Sequence, residues 1–351
     1  MENVGVIDLF CGIGGLSHGF VQEGFKILGG YDFDSTCKYA FTTNNDAPFY
    51  SKDVAKVTGK ELNLLFGDNL KVLVGCAPCQ PFSPYSNSLK EKDKSKWSLI
   101  EEFARLVRET KPEVISMENV PQLQMFQEAD ILGRFLRILR RNGYRPIVYN
   151  VFCPDYGIPQ SRRRLVLLAA KKPIKLVEAT HGNGKLPYAT VSETIRHLPE
   201  LAAGGIDPLD PLHRSRALTE INRKRMAATK EGGSWKDWPQ ELVLACHRKE
   251  SGKSYGSVYG RMRWDDLAPT ITTHCTGIGN GRFGHPTQDR AISFREAALL
   301  QTFPSDYDFI DKTLDFNASS VSRQIGNAVP PLLGQVIAKS IKLYLQENQK
   351  H

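Results

Sequence analysis

The stretch Gly75-Cys76-Ala77-Pro78-Cys79-Gln80-Pro81-Phe82-Ser83 places two cysteines and two prolines directly after the apolar run Val72-Leu73-Val74. The run reads as a buried strand, so both thiols fall in the turn at its end. Each proline fixes its own φ and restricts the residue before it, which leaves Cys79 in a stiff turn. A thiol held on a rigid loop at a strand end has the setting of a nucleophile. Other readings compete. Cys-x-x-Cys is half of a zinc site, but no second pair completes it. It is also a redox spacing, but such pairs usually open a helix in a smaller domain, and Pro81 follows closely. A buried inert thiol is the ordinary fate of cysteine. That reading is accepted for Cys76, which is expected to be a bystander.

A carboxylate stands at the end of a second apolar run. Pro112-Glu113-Val114-Ile115-Ser116-Met117 reads as a strand, and Glu118-Asn119-Val120-Pro121 ends it. Such a carboxylate must be solvated or used, and in a parallel sheet the strand ends form the ligand crevice. Arg162, Arg163 and Arg164 enter another buried run, Leu165 to Ala170. Period-2 alternation would put Arg162 and Arg164 on one face; an exposed edge with snorkelling arginines is the plainer alternative.

A third constellation opens the chain. Val4 to Leu9 reads as a buried parallel strand, Phe10-Cys11-Gly12-Ile13-Gly14-Gly15 follows, and helical spacing runs from Leu16 to about Glu23. Strand, glycine turn and helix present backbone N–H groups and a helix N-terminus to a ligand. Asp32 lies 20 residues after Gly12. At that separation an acidic side chain meets a ribose hydroxyl in nucleotide-type α/β folds. Ser17 stands where the dinucleotide fingerprint needs its last glycine, so a nucleoside-like ligand is expected, with no strong case for a pyrophosphate. Asp53, at the end of a short strand near residue 50, could reach the same ligand.

The elements that must position these groups follow from periodicity. Strands alternating with helices up to about residue 175 predict an open, mostly parallel α/β domain. The polar stretch Tyr85 to Lys96, with Lys90, Lys92, Lys94 and Lys96, reads as a mobile loop beside Cys79. Leu99, Phe103, Leu106 and Val107 mark a helix over Ser98 to Thr110. From Lys172 to about Thr287 the pattern breaks into Gly, Pro, Trp and basic residues, which predicts a second, small, irregular domain. Trp235, Trp238, Tyr255, Tyr259 and Trp264 interleave with Arg and Lys there, and packing is the expected role of each Trp. Ser293-Phe294-Arg295-Glu296 is a capping box. Leu332, Leu333, Val336, Ile337, Ile341 and Leu345 mark a last helix that should pack back on the first domain. The expected boundaries are 1–180, completed by 318–351, and 181–317.

Bulk composition sets limits. At 41% hydrophobic and 24% charged over 351 residues, the chain is an ordinary globular one. No run of about 18 apolar residues exists, so no membrane span is expected. Met1-Glu2-Asn3-Val4-Gly5 shows no basic leader. Seven cysteines, odd in number and sparse, fit a reducing cytosol. Of the net charge of +8, seven units arise between His213 and Arg263, where 12 Lys/Arg stand against 5 Asp/Glu. Such a stretch favours a polyanion through counterion release; a solvated charged face is the alternative.

Together these residues resemble the carbon-5 cytosine DNA methyltransferases of bacterial restriction–modification systems. Asp8-Leu9-Phe10-Cys11-Gly12-Ile13-Gly14-Gly15 looks like the family's cofactor loop and Pro78-Cys79-Gln80 like its nucleophile motif. Glu118-Asn119-Val120 looks like its carboxylate motif, Gln160-Ser161-Arg162-Arg163-Arg164 like its arginine motif, and Gly326-Asn327-Ala328-Val329 like its final motif. The five stand in the family's order along nearly the whole chain. One departure is visible: Lys96-Trp97 stands before Leu99, where the family often carries Arg-Gly.

The resemblance implies a Rossmann-like S-adenosylmethionine-dependent domain with a mostly parallel sheet, a small target-recognition domain, and DNA in the cleft between them. It gives Phe10, Gly12, Ile13 and Gly15 to the methionine and adenosine, Asp32 to the ribose, Phe33 and Asp53 to the adenine, and Pro78, Leu99, Asn327 and Val329 to the rest of the pocket. It makes Cys79 the nucleophile, Glu118 the partner of ring nitrogen 3 and the exocyclic amine, Arg164 the partner of the ring carbonyl, and Arg162 an orienting group. Asn119 would brace the Cys79 loop. Ser83, Lys90, Arg223, Lys224, Arg261 and Thr270 are the expected DNA contacts; Thr270-Ile271, after Pro269, resembles the Thr-Leu pair of the recognition domain. The implied protein is a cytoplasmic, nucleoid-associated monomer that uses S-adenosylmethionine and double-stranded DNA, needs no metal, and serves beside a separate restriction endonuclease. Two rivals share these motifs. A transfer-RNA cytosine methyltransferase would not need the long basic segment, and a catalytically inactive DNA-binding paralogue would not need Cys79, Glu118 and Arg164 together.

Overall fold

The computed structural model describes residues 3–78, 98–125 and 130–348. The chain forms two compact units. One comprises Met1–Tyr156, Arg163–Ala179 and Val329–His351, and the other Gly157–Arg162 and Thr180–Ala328. Residues 318–328 therefore fold with the second unit, and the return to the first comes at Val329, later than the expected 318.

In the first unit, strands and helices alternate. The order is β1 (Val4–Leu9), α1 (Gly15–Gln22), β2 (Lys26–Asp32), α2 (Lys38–Asn45), β3 (Phe49–Ser51), α3 (Gly59–Phe66), β4 (Leu70–Gly75), α4 (Ser98–Thr110), β5 (Val114–Asn119), α5 (Ile131–Arg141) and β6 (Ile147–Phe152). After β7 (Gln160–Ser161), which lies in the second unit, β8 (Arg163–Ala170) returns to the first. Among the described residues the strands lie in the order β3-β2-β1-β4-β5-β8-β6, and β8 runs against both its neighbours. β1 and β5 are buried along their whole length, as central strands covered on both faces should be. The core gathers Ile7, Leu73, Ile115 and Leu167 from the sheet and Phe103 and Phe135 from α4 and α5, whose rings lie 5.7 Å apart. Strand order reverses between β1 and β4, and in open α/β sheets ligands bind outside the carboxyl ends at that point.

The second unit holds α6 (Val191–Ile195), α7 (Glu220–Ala227), α8 (Glu250–Lys253), β9 (Ala268–Pro269), α9 (Phe294–Leu300) and α10 (Ala318–Asn327). β7 and β9 pair in parallel. The expected capping box opens α9: Glu296 N–H donates to Ser293 Oγ, and Glu296 Oε2 accepts from Ser293 N–H. The same carboxylate takes both arms of Arg290 at 2.7 and 2.8 Å. Trp235, Trp238 and Trp264 are all buried, as expected. α11 (Pro331–Asn348) belongs to the first unit and packs on α1, as its apolar stripe predicted.

With so little regular structure, the second unit must satisfy its carbonyls otherwise. Guanidinium groups do this, since each offers five N–H donors. Arg261 is 3% exposed. It donates to the carbonyls of Thr229, Met226, His285 and Gln288 and pairs with Asp289. Arg282 donates to the carbonyls of Gly232, Gly233 and Arg261. Arg225 donates to the Leu242 carbonyl and lies over the Trp238 ring. The expectation that Arg261 contacts DNA is therefore corrected: its donors are consumed inside the unit, where they hold backbone carbonyls at and after the end of α7. Arg223 and Lys224, on the same helix, are less enclosed, with Lys224 in a 3.5 Å pair with Glu220.

Candidate active site

Most of the described groups expected to do chemistry stand at the carboxyl ends of β1, β2, β4 and β5; Arg164 stands instead at the start of β8, which runs antiparallel beside β5. β1 runs into the glycine loop, β2 ends at Asp32, β4 runs into Cys76-Ala77-Pro78, and β5 ends at Glu118 and Asn119. The loop is held in left-handed backbone, with φ of 61° at Phe10, 51° at Gly12 and 89° at Gly14. At Phe10, which carries a side chain, this costs about 1–3 kcal/mol, a type of strain that collects at ligand sites. Asp32 ties the loop down: Oδ2 accepts from Gly12 N–H at 2.9 Å and Oδ1 from Asp34 N–H at 2.9 Å. Burial pushes its carboxyl up, and these two N–H groups oppose that. Each oxygen keeps a lone pair for a ribose hydroxyl.

These residues fit a nucleoside cofactor on the structure's own terms. Phe33, next to Asp32, shows 75% of its surface, an unusual position for a large aromatic ring unless a planar group covers it. No described atom lies within 4 Å of where a Gly12 Cβ would stand, so the loop has open space above it. Ile13 and Gly15 are buried, with Gly15 starting α1. Asp53 is exposed, and its Oδ1 accepts from Ala55 N–H at 3.0 Å. Pro78 and Leu99 are half-buried and Val329 is buried, while Asn327 is exposed at the end of α10.

Beneath the loop lies Asp8, 1% exposed. Ser17 Oγ donates to its Oδ2 at 2.7 Å, and Oδ1 has no hydrogen-bond partner among the described residues. Burial raises its pKa to about 7; the Ser17 hydroxyl opposes the shift and the Asp32 charge adds to it. The unfolded value is about 3.9. Between about pH 4 and pH 7 the native state therefore holds more protons than the unfolded chain, so stability falls as pH rises through that window. The expected result is that Asp8→Asn removes this component: melting temperatures of variant and parent should diverge from pH 4 to 7 in the variant's favour. Parallel curves would refute the assignment.

Glu118 is 2% exposed. The Cys76 thiol donates to its Oε2 at 2.7 Å, and Arg164 Nε lies 2.8 Å from Oε1. The Arg164 contact is an ion pair without an aligned hydrogen bond, since Oε1 finds no donor on a hydrogen-bonding line among the described residues. Asn119 Nδ2 donates to the Ala77 carbonyl at 3.0 Å, tying the end of β5 to the turn after β4. Cys79, Ser83, Lys90 and the rest of the Tyr85 to Lys96 stretch lie outside the described residues.

The arginine motif divides between the units. Arg162 lies outside β8, because its N–H bonds the Gln160 carbonyl at 2.7 Å and breaks the extended run. It is 2% exposed and donates to the carbonyls of Ile271 at 3.1 Å and Ala328 at 3.2 Å. It therefore does not share a β-face with Arg164, and its role is to hold two backbone segments. Gln160 assists by donating to the Leu300 carbonyl and accepting from Ile271 N–H. Thr270 Oγ1 donates to the Ser161 carbonyl. Gly326, in the final motif, is required by close approach: a Cβ there would stand 2.2 Å from the Thr272 carbonyl carbon. The contact of Cys76, expected to be a bystander, with Glu118 was not read from the sequence. The usable signal was that Cys76 follows β4 directly and Glu118 closes β5, the strand beside it in the sheet.

A mostly parallel sheet carrying a glycine loop and strand-end carboxylates is the S-adenosylmethionine-dependent methyltransferase type of α/β fold. Residues 4–343 match the family model of C-5 cytosine-specific DNA methylases. The chain is 53% identical over 343 residues to the type II methylase M.HgiDII of Herpetosiphon aurantiacus, covering 97% of this chain and 96% of that protein. It is 31% identical to the type II methyltransferase M1.HphI of Haemophilus parahaemolyticus, over 95% of this chain and 86% of that one. A solved structure described as a DNA modification methyltransferase of an E. coli prophage shares the fold, with a TM-score of 0.73 at 23% identity, covering 98% of this chain and 99% of that one. The chain belongs to the C-5 cytosine-specific DNA methylase family, whose members take their methyl group from S-adenosylmethionine and act on DNA. Among the described residues, no helix is long and apolar enough to cross a membrane.

Proposed function

We propose that this chain is the modification enzyme of a type II restriction–modification system, methylating carbon 5 of one cytosine in a specific duplex sequence and so protecting it from a separate endonuclease. The observation that carries the mechanism is the buried Glu118 carboxyl, held at the carboxyl end of β5 by Arg164 and Cys76. The similarity to two type II enzymes supports the biological setting.

In this reading S-adenosylmethionine, when bound, supplies an electrophilic methyl group. Phe10, Gly12, Ile13 and Gly15 seat its methionine and adenosine, Asp32 its ribose, and Phe33 and Asp53 its adenine, with Pro78, Leu99, Asn327 and Val329 completing the wall. Carbon 5 of cytosine is a poor nucleophile. Addition of the Cys79 thiolate to carbon 6 makes the ring an enamine-like nucleophile. Glu118 bonds ring nitrogen 3 and the exocyclic amine, which neutralises charge developing on the ring. Arg164 turns from Glu118 toward the ring carbonyl. Once the methyl group is bonded to carbon 5, transfer of the carbon-5 proton to water expels the Cys79 thiolate. A stacked base is out of reach, so the cytosine flips out at a cost of a few kcal/mol. Phosphate interactions of Ser83, Lys90, Arg223, Lys224 and the Thr270 segment offset that cost, and the second unit reads the sequence. The working form is a cytoplasmic monomer on nucleoid DNA.

The test is transfer of tritiated methyl from S-adenosylmethionine to duplex DNA and, in parallel, to transfer RNA. Label in DNA is expected. Label in RNA alone would replace the reading with the RNA-modifying one, and no label in either would favour an inactive paralogue. Alanine at Arg223 or Lys224 should weaken DNA binding and flatten its salt dependence by about one unit of slope for each phosphate no longer neutralised. An unchanged slope would place both residues outside the interface.

A further inference from the structure

Parallel pairing of β4 with β5 sets Gly75 opposite Met117. The next residues on the two segments, Cys76 just past the end of β4 and Glu118 still within β5, therefore stand beside each other. The thiol donates to Glu118 Oε2 at 2.7 Å while Arg164 Nε holds Oε1 at 2.8 Å. We infer that Cys76 is a positioning residue for cytosine methylation, its thiol fixing the plane of the Glu118 carboxyl against the base. The inference rests on Glu118 being the group that meets the cytosine.

The terminal torsion of a Glu is a broad, roughly two-fold rotor. A single interaction of Arg164 with one oxygen leaves that rotor free to turn about it. A donor on the other oxygen fixes the plane, and each oxygen retains a lone pair toward the base. The choice of donor also fits the task. A second cation would bind the ionised carboxylate so firmly that sharing a proton with ring nitrogen 3 would be opposed, whereas a neutral, weak S–H donor holds the group and yields easily. The bond from Asn119 to the Ala77 carbonyl keeps the two strand ends in register, so the thiol stays within reach.

Cys76→Ala should lower kcat about tenfold, the size of one hydrogen bond to a charged group, with KM for S-adenosylmethionine changed less than about twofold. Cys76→Ser, whose hydroxyl also donates, should recover most of the loss. In a Glu118→Gln background, Cys76→Ala should add less than about twofold, because the group it acts through is gone. Three results would overturn the inference: an unchanged kcat in Cys76→Ala, a serine variant as slow as alanine, or the full tenfold loss persisting in the Glu118→Gln background. Failure of the underlying role is read separately, from Glu118→Gln alone; if that single variant were fully active, Glu118 and Cys76 would both lose their assignments. Should Cys76→Ala fold poorly, the serine variant and its double mutant still decide.

Discussion

Cys79→Ser should abolish turnover, lowering kcat by roughly a thousandfold or more, while S-adenosylmethionine binds within about twofold of the parent. The reason is chemical. A cysteine thiol is a few per cent ionised near pH 7 and intrinsically very nucleophilic, whereas a serine hydroxyl needs an adjacent base to attack at all. Glu118 and Arg164, the groups expected to meet the base, are paired to each other. Serine is close in size to cysteine, and the bond from Asn119 to the Ala77 carbonyl holds the backbone two residues earlier. Cofactor affinity, followed by calorimetry, should therefore survive while tritium transfer to DNA stops. A serine variant working within about tenfold of the parent would mean that carbon 6 is not attacked by this side chain.

Glu118→Gln should slow turnover by about a hundredfold to a thousandfold. Glutamine keeps the shape, but it carries no proton to share with ring nitrogen 3 and no charge to hold Arg164. Since Glu118 is 2% exposed, the guanidinium would lose its ionic partner at a partly closed site, and some loss of melting temperature should accompany the loss of rate. The two effects separate by kinetics: kcat should fall at temperatures far below melting, with the cofactor KM little changed. A rate within about threefold of the parent would remove Glu118 from the chemistry.

Much of the first unit was legible because its signals are local. β1 and β5 are built on short apolar runs, Val4 to Ile7 and Val114-Ile115, with their functional acids near the ends, and α4 and α5 carry apolar residues at helical spacing. In the second unit, Ser293 with Glu296 spells a capping box for the same local reason. The arginine motif shows where local rules stop. Alternation would have set Arg162 beside Arg164, but one hydrogen bond from Arg162 N–H to the Gln160 carbonyl ends the extended geometry and gives Arg162 to the second unit. Arg261 shows the same limit from the side of charge. Its place in a basic stretch suggested a phosphate, yet an irregular unit has stranded carbonyls to satisfy, and a guanidinium satisfies several at once.

By itself the sequence determined the strand–helix alternation, the glycine loop with its acidic partner Asp32, the thiol turn around Cys79 as a motif and the strand-end Glu118, because each depends on neighbours close in the chain. Only the tertiary structure decided what the described groups touch. Strand order brought β4 beside β5, and with it Cys76 onto Glu118, because adjacency in a crossover sheet is set by packing between segments far apart in sequence. The same packing sorted the arginines into internal carbonyl holders such as Arg162 and Arg261 and outward ones such as Arg223. Composition counts charges, but burial and available acceptors decide which of them remain for DNA.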